Sequence, residues 1–395
     1  MLLKKICLGV DLGATSIKMV ELAKEGDEAK LLSYGYSEQS IEITRKNAPG
    51  QEEKIVSIIK KIQDKAKFRS RRVVSAMPSF AVFSSIINLP EMSKKDLQSA
   101  VYWEAKKFIP IPIEEVILDW KILEEKSEGK IQKTGLSKKG FYDKNKSKGR
   151  IKERKEDTEE GKENKEEGRA KFSLKEVVSV GEKEGGKNFR ILLTAAPRDL
   201  VEKYVKVFRL AKLELLSLET ESFALSRALV GRDPGVVMVV DFGAKTTDII
   251  IIERGIPIFS RSIDIGGENI TQAISSSLKI DRKKAEQFKM DLSLVAEERV
   301  PKVIRDILES MINEIRYSLD LYTSQNKKNV EKIILSGGTA SLPDIPQYLS
   351  KVLDMNVYIG DPWANVTYPI ELEPILKELG PRFAVAVGLA MRGIE

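Results

Sequence analysis

The chain of 395 residues contains no histidine and a single cysteine. Without histidine there can be no Ser-His-Asp or Cys-His nucleophile, and no metal held by imidazole. One thiol, Cys7, cannot close an intrachain disulfide and is too few for a cysteine zinc site, so it is expected as a buried strand residue. Long apolar runs are missing too. Charged residues interrupt each one before the roughly 18 to 20 residues a membrane span requires. Residues 1–13 carry two lysines but only a short apolar stretch before Asp11, which reads as a first strand rather than a signal peptide. A cytoplasmic protein is expected. Single-signed charge is also lacking: 66 basic residues are spread among 59 acidic ones, a net charge of +7, and no nucleic-acid partner is expected. Any chemistry must rest on carboxylates, lysine, threonine, backbone amides and a hard metal.

A chain this long supports two or more cores. Strand-like segments at 6–13, 16–23 and 29–38 precede a helix over 52–67 with Ile55, Ile58, Ile59 and Ile62 on one face. A fourth strand, 72–78, ends at Pro78. Strand 82–90 opens a new unit, and Ser93 is placed to cap a helix carrying Leu97, Val101 and Phe108, which the IPIP of 109–112 ends. Residues 124–171 turn to Lys, Glu, Gly, Ser and Asn and cannot bury enough surface to offset their ordering entropy, so a mobile insertion is expected. Strands at 176–180 and 189–196 then suit a hairpin. From 235 to 267 the opening pattern returns as strand, Asp-x-Gly, turn, strand, turn at Gly255 and strand, an internal duplication in pattern. The stripe Ile304, Ile307, Leu308, Met311, Ile312, Ile315 and Leu319 reads as a packing helix, and 383–392 as a small-residue helix.

The chemistry concentrates at the repeated Asp-x-Gly. In 11–18, DLGATSIK, Gly13 permits a tight turn and close approach to an anion, the amides of Ala14, Thr15 and Ser16 can point inward, Asp11 offers a carboxylate to magnesium, and Lys18 adds a positive charge. The second copy, 241–248, is DFGAKTTD. Two such hairpins, each heading a three-strand unit, can clamp a triphosphate from both sides. A third element, 332–351, runs an apolar strand into Ser336, Gly337 and Gly338 and then a helix whose free amides suit a nucleotide.

Three elements in this order resemble the actin/Hsp70/sugar-kinase nucleotide-binding fold. Segments 11–22 (DLGATSIKMVEL), 75–90 (SAMPSFAVFSSIINLP), 102–120 (YWEAKKFIPIPIEEVILDW), 240–252 (VDFGAKTTDIIII), 260–271 (SRSIDIGGENIT) and 334–349 (ILSGGTASLPDIPQYL) more closely resemble the PilM family of type IV pilus proteins, with its relative the division protein FtsA. The resemblance implies a two-lobed α/β, actin-like (ribonuclease H-like) fold with duplicated sheet and helix domains and an inserted FtsA-like subdomain. Its implied divisions are 1–78 with 198–234 and the helix 381–394, an inserted partner-binding unit 79–197, a second actin-like subdomain 235–267 with 330–380, and a small cap 268–329. By resemblance Asp11 and Asp241 hold magnesium waters, Gly13, Thr15, Ser16 and Lys18 form the first phosphate loop, and Gly243, Lys245 and Thr246 the second. Gly337, Gly338 and Thr339 match the adenosine turn, Glu286 and Lys289 the pair near ribose and base, and Glu221 the residue that orients the attacking water. Ser222 stands where the family has proline, so at most slow ATP hydrolysis is implied.

The implied function is an ATP- and Mg2+-binding adaptor of the inner-membrane platform of a type IV pilus, or of a related type II secretion system. Its implied partners are the N-terminal cytoplasmic peptide of the membrane protein PilN and other platform proteins, with indirect membrane association and room for self-association. An FtsA-like division scaffold and a small-molecule kinase are the alternatives. A kinase needs a general-base aspartate in an acceptor pocket, and none stands out between Ser79 and Pro197. The DFG at 241–243 lacks a His-Arg-Asp partner, and GEKEGGKN at 181–188 has Asn188 where a P-loop needs Ser or Thr.

Overall fold

The computed structural model describes residues 5–41, 43–44, 50–123, 188–291 and 302–395. The expected insertion 124–171, the strand 176–180 and most of the P-loop-like stretch lie outside the described residues.

Strands β1 (Ile6–Leu12), β2 (Ile17–Glu25) and β3 (Glu28–Ser37) form an antiparallel meander, with Gly26 at φ +64° making the second turn. Helix α1 (Gln51–Ala66) then turns its buried Ile55, Val56, Ile58, Ile59 and Ile62 to that sheet and returns the chain to β4 (Arg72–Met77), parallel to β1. A single 3-10 turn (Ser79–Ala81) leads out to β5 (Phe83–Pro90), α2 (Lys94–Phe108), β6 (Val116–Leu123) and β7 (Asn188–Pro197). The Ser93 hydroxyl caps α2 by accepting from the Asp96 amide, as its sequence position predicted.

The chain returns through α3 (Arg198–Leu210), β8 (Glu214–Thr220) and α4 (Glu221–Leu225). The second meander is β9 (Val236–Phe242), β10 (Thr247–Glu253) and β11 (Ile256–Ile263), followed by α5 (Gly267–Leu278), α6 (Arg282–Asp291) and α7 (Lys302–Asn326). Then come β12 (Lys332–Ser336), α8 (Ile345–Leu353), β13 (Val357–Ile359), β14 (Val366–Thr367) and α9 (Glu373–Ile394).

The duplication is topological as well as textual. One sheet runs β14-β3-β2-β1-β4-β8 and another β11-β10-β9-β12-β13, so each places its Asp-x-Gly strand between its hairpin partner and a parallel strand. The third sheet, β5-β7-β6, is antiparallel and buries Ile191, Leu193 and Ala195 beside Leu97, Val101 and Ala105 of α2. Here the expected hairpin on 189–196 is corrected. Strand β7 pairs with β5 on one edge and β6 on the other, so both ladders of hydrogen-bonding groups are already taken.

Helix α9 lies between the two large sheets. Its Phe383, Val385, Ala386, Leu389 and Ala390 share one core with Val20 and Val74 of the first sheet and Val239 and Ile250 of the second. Small residues allow this close approach. A Cβ on Gly9 would sit 2.0 Å from the Ala386 carbonyl, and one on Gly388 would sit 2.0 Å from that of Ala224. Cys7 is fully buried here, facing Gly393. The helix begins at Glu373, before the expected 381, and runs through Pro381. A proline interior to a helix removes one N–H bond, which is why the sequence reads as a boundary there. The Pro381 carbonyl accepts from the Gly337 amide (2.9 Å) and the Ser336 hydroxyl (3.1 Å), fastening the helix to the β12 turn. Among the described residues no helix is long and apolar enough to cross a membrane.

Candidate functional site

The first hairpin sets Asp11 opposite Lys18 across the β1–β2 ladder, and the lysine Nζ lies 2.9 Å from the carboxylate with both side chains nearly buried. The turn between them, 13–16, is tight enough that a Cβ on Gly13 would stand 3.1 Å from the Ser16 carbonyl. The Ala14 carbonyl accepts from the Ile41 amide, which holds the turn from the side. The second hairpin repeats the geometry with Asp241 opposite Asp248, where the first has lysine. Its Gly243 amide donates to the Thr246 carbonyl at 3.0 Å, and a Cβ there would stand 2.9 Å from that oxygen. The carbonyls of Gly243 and Ala244 accept from the amides of Gly267 and Glu268 at the start of α5, which fixes this loop from the other side. Lys245 lines a shallow depression of about 310 Å³ with Asp264, Glu268, Asn269, Gln272 and Arg282.

The two hairpin tips lie within electrostatic reach of one another. Burial pushes the Asp241 carboxyl up to about 7, Asp248 and Asp11 add to the rise, and Lys18 and the neighbouring Ser336 oppose it. The charges of Asp11 and Lys18 therefore act on Asp241 from the other large sheet. Glu221, at the start of α4, is held well above the usual carboxylate range by burial and by Asp248, Asp11 and Asp241, against an amide donated by Ser79 at 3.1 Å. Asp248 is raised by burial despite the Ser262 hydroxyl that bonds it. Asp248, Asp11 and Asp241 thus all act on Glu221, and Lys18 pairs with Asp11. Beside them the Tyr204 hydroxyl is buried without a hydrogen-bond partner, and Glu221 and Asp11 both act on it.

The third element closes the far end. Gly337 takes φ +85°, and a Cβ there would meet the Phe242 carbonyl at 2.4 Å, so only glycine fits between β9 and this turn. Gly338 lies against Arg382, and a short 3-10 turn (Gly338–Ser341) precedes the helix expected there. Gly267 leaves room for the Thr339 hydroxyl and the Lys289 ammonium, which a Cβ would approach to 2.7 and 3.5 Å. Lys289 is buried, donating to Thr271 Oγ1 (2.9 Å), Glu286 (2.8 Å) and the Gly267 carbonyl (3.3 Å). Burial alone would raise the Glu286 carboxyl, but the Lys289 and Thr271 bonds prevail and lower it.

Asp11, Lys18, Asp241 and Glu221 are therefore brought together, and Gly243, Thr339, Glu286 and Lys289 gather around Gly267 at the other end. Sequence reasoning missed Asp248, Tyr204 and Ser79. Asp248 carried a readable signal, since it follows Asp241 by the same interval that separates Lys18 from Asp11. Tyr204 and Ser79 carried none, because their place depends on how α3 and the third sheet return to β8.

The family model described as type IV pilus assembly protein PilM matches residues 9–135 and 172–394. A solved structure of a PilM–PilN type IV pilus biogenesis complex contains a chain that is 26% identical, with a TM-score of 0.73 over 98% of each chain. The ethanolamine utilization protein EutJ of Carboxydothermus hydrogenoformans shares the fold at 17% identity, with a TM-score of 0.54 over 98% of this chain and 90% of that one. The cell division protein FtsA of Bacillus subtilis is 24% identical over 195 residues, 43% of this chain and 44% of its own length. That of Neisseria meningitidis is 27% identical over 185 residues, 39% and 41% of the two. The chain thus spans less than half the length of these curated relatives.

Proposed function

This chain belongs to the type IV pilus assembly protein PilM family and has an actin-like fold, and we propose that it is a cytoplasmic adaptor that holds ATP and magnesium between its two Asp-x-Gly hairpins. The observation that carries this reading is that Asp11 and Lys18, in one sheet, both act on the carboxyl of Asp241, which stands in the other.

The residues present suit a metal-bound triphosphate. Crowded carboxylates with a single lysine among them leave an excess of negative charge that a hard cation relieves. Among the described residues no three carboxylates form a closed metal cage. Magnesium ordinarily takes one or two carboxylates with waters and phosphates. When bound, it supplies neutralisation of the triphosphate charge. Asp11 and Asp241 would hold it, and the amides of Gly13, Ala14, Thr15 and Ser16 with Lys18, together with Gly243, Lys245 and Thr246, would hold the phosphates. Gly337, Gly338 and Thr339 with Glu286 and Lys289 receive the nucleoside. Glu221 orients water, and with Ser222 beside it hydrolysis is at most slow.

The partner is the N-terminal cytoplasmic segment of a PilN-type membrane protein, by analogy with the PilM–PilN complex that this chain matches over nearly its whole length. The segment docks on the inserted unit 79–197, which would place the protein at the inner membrane through its partner. Residues 1–78 with 198–234 and 235–267 with 330–380 act as the two lobes, and 268–329 as the cap. Titration calorimetry tests the site: Asp11→Ala and Asp241→Ala should each abolish magnesium-dependent ATP binding while the circular dichroism spectrum is kept. Unchanged ATP affinity in both variants would overturn the assignment. Binding of a labelled N-terminal PilN peptide, with and without ATP, tests the partner.

A further inference from the structure

The three-stranded unit leaves the first large sheet at one point. Met77 ends β4, Pro78 follows, and the turn Ser79–Ala81 starts the path to β5. At that root the Ser79 amide donates to Glu221 Oε2 at 3.1 Å, and the Ser79 hydroxyl lies 3.2 Å from that of Ser222. The Ser222 hydroxyl lies in turn 3.4 Å from that of Ser260 on β11, the edge strand of the second large sheet. Ser79, Ser222 and Ser260 thus link the root of the three-stranded unit, the start of α4 and the second large sheet beside Glu221.

We propose that Ser79 is a positioning residue which holds the Glu221 carboxylate by its backbone amide, so that the placement of the three-stranded unit and the nucleotide state of the crevice control one another. The inference rests on nucleotide binding in the crevice. A carboxylate bonded to an amide of one unit and acted on by the carboxylates of two others passes its displacement to that amide for as long as the bond is kept. When the crevice fills, Glu221 shifts and β5 shifts with it; when a partner seats on the three-stranded unit, Ser79 shifts and Glu221 follows. Such coupling is reciprocal.

The backbone permits a clean test. Ser79 is the first residue of its turn, and Pro78 before it has φ −56° and ψ 136°, the conformation a following proline requires. Ser79→Pro thus deletes the amide donor with the turn intact, whereas Ser79→Ala deletes only the hydroxyl. Hydrogen exchange over β5 and β7 is measured on the full chain with and without saturating ATP and magnesium. The wild type and Ser79→Ala should show exchange slowed by nucleotide about fivefold, the lower range of measured couplings, and Ser79→Pro should show no response. Glu221→Ala should lose the response too, and the double variant should match either single one. If Ser79→Pro does not fold, Glu221→Ala carries the same test. A nucleotide response in Ser79→Pro or Glu221→Ala equal to that of the wild type overturns the inference, as does a wild type that binds ATP calorimetrically without any change in β5 and β7. A wild type that binds no ATP removes the nucleotide reading and the inference together.

Discussion

Asp241 and Asp248 face one another across the β9–β10 ladder. The equivalent pair in the first hairpin is Asp11 and Lys18, an ion pair of 2.9 Å. The duplicated hairpins are thus electrostatically unequal: one is neutralised internally and the other stacks two acids, which leaves the second tip as the place where a cation gains most.

That inequality predicts a pH dependence. Burial and Asp248 hold the Asp241 carboxyl up at about 7, above its ordinary value. A raised carboxyl favours the folded state while protonated, so this contribution is present at low pH and is lost as pH rises from about 4 through about 7. Asp241→Asn cannot ionise. In the absence of nucleotide and magnesium, its melting temperature should exceed that of the wild type, by a margin that grows between pH 5 and pH 8. Thermal melts across that range check it, and a margin independent of pH would refute the electrostatic account.

Lys18 should matter to stability for the opposite reason. Its partner Asp11 is 6% exposed and faces Asp241. Removing one member of a buried pair leaves an uncompensated charge and costs on the order of 3 kcal/mol. Lys18→Met should lose about that much in urea unfolding, and Lys18→Met/Asp11→Asn should regain a good part of it because the stranded charge is gone. A double variant no more stable than the single would argue against the pair.

The hairpins were legible in the sequence because they are local: strand alternation, Asp-x-Gly and a short turn lie within residues 6–25 and 236–253. The actin-like fold followed from their repetition. What stayed hidden depends on long-range return of the chain. The neighbours of β7 are set by β5 and β6, one of them a hundred residues away. Pro381 reads as a helix boundary and is instead a helix interior whose carbonyl binds the Gly337 turn. Ser79 is an ordinary serine after a proline until β8 delivers Glu221 beside it.

Helix α9 should tolerate no added methyl group where it crosses α4. A Cβ on Gly388 would lie 2.0 Å from the Ala224 carbonyl and 2.6 Å from its carbon, both backbone atoms that cannot swing aside. Overpacking of this kind costs about 1 to 3 kcal/mol, and the rigid neighbour puts Gly388→Ala at the upper end. Gly26→Ala provides the contrast, since its φ of +64° is strained but nothing lies within 4 Å. That change should cost roughly 1 kcal/mol. Denaturant midpoints of the two variants check the order, and a Gly26→Ala loss equal to that of Gly388→Ala would contradict close packing of α9 on α4.

The stretch 136–171, which the PilM family match passes over, should be removable without loss. Its composition is mostly Lys, Glu, Gly, Ser and Asn with further Arg and Asp, and it holds too little apolar surface to offset ordering. The strands it separates are already neighbours, with Leu123 of β6 opposite Arg190 of β7. Deleting 136–171 shortens the connection from 64 residues, 124–187, to 28, which is ample to join adjacent strand ends. A shorter connection closes at a smaller entropic penalty, by about 0.7 kcal/mol on the logarithmic scaling of closure with length. The deletion variant should therefore melt at or slightly above the wild-type temperature and bind ATP equally. A drop of several degrees would mean that the removed residues contribute packing their composition does not advertise.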